Sequence, residues 1–150
     1  MAKIHGFFSK ERGGNTMHTT NYSNTFIEVA DDCRAEFGAS PPEKQVPTIA
    51  SLQYKRLLDQ PYTYTSDELL FEIYALRNSI PEAEQAAKRA EFFAKGQACL
   101  RASPLAKTYG WGIHFDADAR VAIYAKGSED YERLRNDSTL TQLKAMRSAR

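Results

Sequence analysis

A chain of 150 residues is long enough to bury a hydrophobic core without help from disulfides or metals. Its 20 Lys and Arg nearly balance its 19 Asp and Glu, so a net charge of +1 gives no global field to recruit nucleic acid. Cys33 and Cys99 form no paired motif, no apolar run reaches membrane-spanning length, and no signal-peptide core follows Met1, so a cytoplasmic protein with free thiols is expected.

Residues 1–16, MAKIHGFFSKERGGNT, show no periodicity. They are expected to be a flexible leader or extension, with a single domain over 17–150. Met17 is the expected natural start, because RGGNTM can be encoded by a purine-rich stretch of the kind that precedes a start codon. Lys3, Lys10 and Arg12 therefore carry no functional weight.

The alternation of Ile27 and Val29 with Phe26 and Glu28 predicts a strand over 24–30, closed by Asp31-Asp32. Residues 34–47, with Gly38 and three prolines, read as a loop. Thr48 is a helix cap, Ala50, Tyr54, Leu57 and Leu58 are the apolar face behind it, and Pro61 is its end. Thr65-x-x-Glu68 is a capping-box pattern that opens a helix to about Asn78, although LLFEIYAL is apolar enough on both sides to be a buried strand. Ser79-x-x-Glu82 with Pro81 predicts another helix, with Ala86, Ala90, Phe93 and Ala94 as its stripe, Lys95 in its last turn and Gly96 as its stop. Ser103-Pro104 starts a short helical turn that Gly110 ends.

The best-organised stretch is KTYGWGIHFDADARVAIYAKG, residues 107–127. It reads as a hairpin with strands near 111–116 and 120–125. Alternation places Trp111, Ile113 and Phe115 on one face, and Gly112, His114 and Asp116 on the other. Matching apolar faces sets Phe115 opposite Val121, Ile113 opposite Ile123 and Asp116 opposite Arg120, around the loop Ala117-Asp118-Ala119. Ser128 then caps a helix through Arg135, and Thr139-x-x-Gln142 is expected to cap a last short helix carrying Leu140, Leu143 and Met146. Strands and helices without regular alternation argue for an α+β fold: a small antiparallel sheet with helices mainly on the Trp111 side.

The second hairpin face is the candidate site. Gly112 lacks a side chain beside His114 and opposite Tyr124, which predicts room for a ligand to approach the sheet. Arg101 and Lys107 would border that room, with Arg120 at its edge, and cations with an imidazole suit a phosphate or carboxylate. The competing reading is a solvated sheet face with one surface ion pair. Cys99 with His114 would be the minimum for nucleophilic catalysis, but no nucleophile-elbow pattern surrounds Cys99, and a buried inert thiol is the simpler state. Cys33 with Asp31, Asp32 and His18 matches no zinc spacing, so no metal is expected. No Walker-type or GxGxxG loop is present, and no cofactor is expected.

HTTNYSNT, residues 18–25, can line a polar pocket or order the approach to the first strand. The tail LKAMRSAR, with Lys144, Arg147 and Arg150, can touch phosphates or end in solvent; the overall charge does not support a nucleic-acid partner.

MHTTNYSNTFIEVADDC, YTSDELLF, KGQACLRASPLAKTYGWGIH and LKAMRSAR together resemble a family of small, mostly bacterial proteins classed as a domain of unknown function, from Met17 to Arg150. The resemblance implies no activity, cofactor or catalytic residue. From the residues alone, the expected function is binding of a small anionic ligand or metabolite on the His114/Tyr124 face. The alternatives are a small enzyme with His114 as general acid or base, and an oligomerisation or protein-interaction module, possible as a homo-oligomer.

Overall fold

Four short strands build the central sheet in a computed structural model that describes the backbone of residues 8–10 and 16–149 and the side chains of residues 17–149. The expected leader over 1–16 lies largely outside the described residues. Its described part is β1 (Phe8–Lys10) together with Thr16, the first residue of the antiparallel partner strand β2 (Thr16–His18).

The sheet consists of β3 (Thr25–Glu28), β4 (Trp111–Phe115), β5 (Val121–Ala125) and β6 (Thr141–Lys144), in the order β5-β4-β3-β6. The hairpin register is the expected one, with Ile113 opposite Ile123 and Phe115 opposite Val121. Ala119, at φ +65°, closes the 117–119 loop, and Asp116 N donates to Arg120 O at 2.9 Å. β3 joins β4 antiparallel, with Phe26 opposite His114 and Ile27 opposite Ile113.

β6 corrects the expected C-terminal helix. Residues 141–144 run parallel to β3, flanked by bonds from Thr141 N to Asn24 O and from Ala145 N to Glu28 O, both 2.9 Å. Without this strand β3 would present an unpaired edge, and a segment of so few residues gains little from a costly helix nucleus. Thr139 bonds the Asp137 carboxylate instead of capping a helix.

The helices are α1 (Ile49–Asp59), α2 (Ser66–Arg77), α3 (Glu82–Phe93), α4 (Pro104–Lys107) and α5 (Glu129–Arg135). Capping boxes open α1 at Thr48, with Ser51 as its partner, and α2 at Thr65, with Glu68. The two-sided apolarity of LLFEIYAL belongs to a helix buried on two sides. Leu69 and Ile73 join the main core with Ile27 and Ile113, while Phe71 and Ala75 pack with Phe93.

The opening of α3 differs from expectation. Ser79 sits at φ +51° just past the end of α2, where Ile80 N donates back to Ala75 O, so its hydroxyl caps nothing and Pro81 takes the cap position. Of the expected stripe only Phe93 is buried; Ala86, Ala90 and Ala94 are exposed, and Lys95 and Gly96 follow the helix rather than ending it. Leu58 of α1 is likewise exposed.

The segment HTTNYSNT turns out to be a clamp on α2. The buried Asp67 carboxylate accepts Thr20 N and Thr20 Oγ1, both at 2.7 Å, and Thr19 Oγ1 at 2.6 Å. In return, Asp67 N donates to Asn21 Oδ1 at 2.9 Å. An acceptor set in the first helical turn thus orients the entry into β3. Asp67→Ala should cost about 3 kcal/mol of unfolding free energy, because several buried donors lose a charged acceptor together. Equilibrium urea denaturation measures this, and a loss below about 1 kcal/mol would contradict the clamp.

Candidate functional site

His114 and Tyr124 do share a face, and a residue from a distant loop joins them. Tyr62 Oη lies 2.7 Å from His114 Nδ1 and 2.7 Å from Tyr124 Oη. The rings of Tyr62 and His114 meet edge to face, 5.6 Å between centroids.

Tyr62 reaches this position through a backbone conformation that a bulky side chain rarely adopts, φ +56°. Such a residue persists only where its surroundings hold it. Here Tyr62 N donates to Val121 O at 2.8 Å, Val121 N donates to Tyr64 O at 2.9 Å, and the Arg120 guanidinium donates to Thr63 O at 2.6 Å. The 61–65 loop is therefore stapled to the start of β5, and its tyrosine is aimed across the sheet.

Two proton orders satisfy the three groups. If Tyr124 donates to Tyr62 and Tyr62 donates to Nδ1, His114 carries its proton on Nε2. If Nδ1–H donates to Tyr62, the phenol protons point toward and beyond Tyr124. Burial favours the neutral forms of His114 and Tyr62. Desolvation lowers the His114 pKa and Arg133 adds to it, while Asp116 and Asp137 pull the other way. The Tyr62 phenol is held well above its ordinary value, first by burial and then by its bond to Tyr124. Asp137 is kept ionised by the Thr139 hydroxyl and N–H, with His114 and Arg133 contributing.

The space predicted beside Gly112 is already taken. A Cβ there would lie 2.5 Å from Phe26 Cζ and 2.7 Å from Tyr131 Cε2. Gly112 admits the protein's own rings, which meet edge to face at 5.2 Å under α5.

Arg101 and Lys107 do not border this face. Arg101 Nε donates to Lys144 O at 2.8 Å by the end of β6. Lys107 ends α4, whose Leu105 and Ala106 belong to the core on the Ile113 side. Arg120 lies at the edge but is spent on Thr63 O, and Asp116 accepts backbone N–H groups of Asp118 and Arg120 instead of pairing with its guanidinium. Cys99 is buried in that same core, 3.2 Å from Tyr22 Oη, on the opposite side of the sheet from His114.

The other polar candidates are engaged structurally. Lys144 Nζ pairs with Asp31 at 2.8 Å, and Asp32 accepts Ser148 N and Ala149 N. Among the described residues no group of three or more His, Cys, Asp or Glu converges as metal ligands, and no helix is long and apolar enough to cross a membrane.

A family model matches residues 17–150. The chain belongs to the family of unknown function DUF6157. No curated protein and no solved structure matches it. For this DUF6157 member the chemistry must therefore be read from its own side chains.

Sequence reasoning missed Tyr62, Arg133 and Asp137. Tyr62 stands in QPYTYT, 52 positions from His114, with no spacing to link them. The register of β5 against the 62–64 loop was the missing signal.

The lowered His114 pKa has a direct consequence. An unfolded histidine takes up its proton near pH 6.5, whereas the folded one resists until lower pH. Between those points the unfolded state binds more protons, so this residue makes stability fall as pH drops below about 6.5 and level off once the folded imidazole titrates. NMR titration of His114 should give a midpoint below 6.5, and a midpoint at or above that value would contradict the placement.

Proposed function

We propose that this DUF6157 member binds a small anionic molecule on the face made by His114, Tyr62 and Tyr124. The observation that carries the reading is the hydrogen-bonded chain of two phenols and one imidazole, 2.7 Å at each link. With Nδ1 bound to the Tyr62 hydroxyl, His114 offers Nε2–H from the far edge of its ring as a donor to an oxyanion. Arg133, exposed on α5 and electrostatically coupled to His114, Tyr62 and Tyr124, supplies the positive charge that Arg101 and Lys107 are too remote to provide. Its partner Asp130, at 3.0 Å, is exposed as well, so the pair is weak enough to yield to a ligand. The free thiols of Cys33 and Cys99 support a reducing, cytoplasmic setting.

The same contact favours a second reading. A phenol at hydrogen-bond distance from a half-buried neutral imidazole is the pairing a proton-transfer site needs, with His114 as general base and Tyr62 relaying toward Tyr124.

Thermal-shift measurements with inorganic phosphate and with acetate test the first reading. Stabilisation should be lost in His114→Ala and Arg133→Ala and reduced in Tyr62→Phe, and it should survive in Arg101→Ala and Lys107→Ala. An absent shift, or one unchanged by His114→Ala, would overturn it.

A further inference from the structure

On the helical side of the sheet, away from His114, lies a groove of about 250 Å³. Its wall is apolar, formed by Ile49, Leu70, Ile73, Tyr74 and Phe92, and the last two rings stand 4.6 Å apart and tilted by 39°.

Gln53, Arg77, Asn78 and Gln97 interrupt this wall, and of these four only Gln53 is buried. Gln53 of α1 lines the groove yet is only 3% exposed. Its orientation is dictated by Ser103. The Ser103 hydroxyl oxygen accepts Leu105 N–H at 3.1 Å as the cap of α4, and its own proton goes to Gln53 at 2.6 Å. Only a carbonyl oxygen can receive that proton, so Oε1 faces Ser103 and the amide nitrogen turns away from it. Among the described residues no acceptor reaches Gln53 Nε2. Gln53 Nε2 is reached by solvent, so this unused donor in the groove is open to an acceptor from outside the chain.

We propose that the groove binds a single-ring aromatic carboxylate or carboxamide, its ring against Tyr74 and Phe92 and its carbonyl oxygen accepting from Gln53 Nε2. Size supports this: an apolar cavity of roughly 150 Å³ takes benzene, so the observed groove has room for a ring with one carboxyl-sized substituent. Charge supports the carboxylate over the amide. Arg77 lines the same groove, is held by a bond to Pro47 O at 3.0 Å, and makes no ion pair among the described residues. The site is independent of His114.

The test is titration of the full chain with benzoate, benzamide and toluene, followed by ¹H–¹⁵N NMR. Benzoate should shift the Gln53 side-chain amide saturably, benzamide should bind more weakly, and toluene should leave that amide unmoved. Gln53→Glu keeps an acceptor for Ser103 but removes the donor, and should weaken benzoate by roughly tenfold or more. Ala98→Trp fills the groove from its exposed rim while leaving Gln53 in the sequence, and should abolish binding even if the first variant folds poorly. His114→Ala should bind benzoate like the parent chain. No saturable shift would mean that water alone satisfies the amide. That result, toluene binding as tightly as benzoate, or benzoate binding undiminished in both groove variants, would overturn the proposal.

Discussion

The contact between Gly112 and the rings of Phe26 and Tyr131 organises the layer that carries the His114 site. A sheet of four short strands has two faces to cover. Three helices cover one, and the other receives α5 through Tyr131 and Leu134. Tyr131 lies close to the sheet because position 112 has no Cβ, and its hydroxyl then accepts Val29 N–H at 3.0 Å. This approach brings Arg133, on the same helix, and Asp137, just beyond it, into the electrostatic surroundings of His114. A residue that looked like an opening for a ligand is the reason the layer above it closes.

The half-buried imidazole therefore sits between two separate structures. α5 packs on the same sheet face through Tyr131 and Leu134, and the 61–65 loop delivers the Tyr62 hydroxyl. The loop holds a left-handed tyrosine, a conformation costing about 1–3 kcal/mol, and its backbone bonds to β5 offset that cost. Strain retained beside a titratable group gives the His114 face its claim to function. On the other side of the sheet, Ser103 orients Gln53 by the same kind of local constraint.

What could be read from the residues was local or periodic. The Thr48 cap, the Thr65 capping box and the Ser103 and Ser128 caps depend on residues within one helical turn, and the hairpin register depends on two strands separated by a tight loop. β6 escaped because its reason for being a strand is the edge of β3, more than a hundred positions earlier, and not its own pattern. The alanines of α3 escaped because an apolar stripe at helical spacing does not say whether a core lies beneath it. Tyr62 escaped for the most physical reason: its partner is chosen by how β5 meets the loop, which no spacing encodes. The resemblance from Met17 onward pointed to kinship, and its first two blocks prove to be the two halves of the Asp67 clamp.

The packing at Gly112 is tested most directly by unfolding free energies of Gly112→Ala and of Gly96→Ala as its control. A methyl at 96 would meet its nearest neighbour at 3.7 Å, an ordinary contact, whereas at 112 it would press into two buried rings. A loss of about 1–3 kcal/mol is expected at 112, as for other overpacked cores, and almost none at 96. Equal stabilities for the two variants would contradict it.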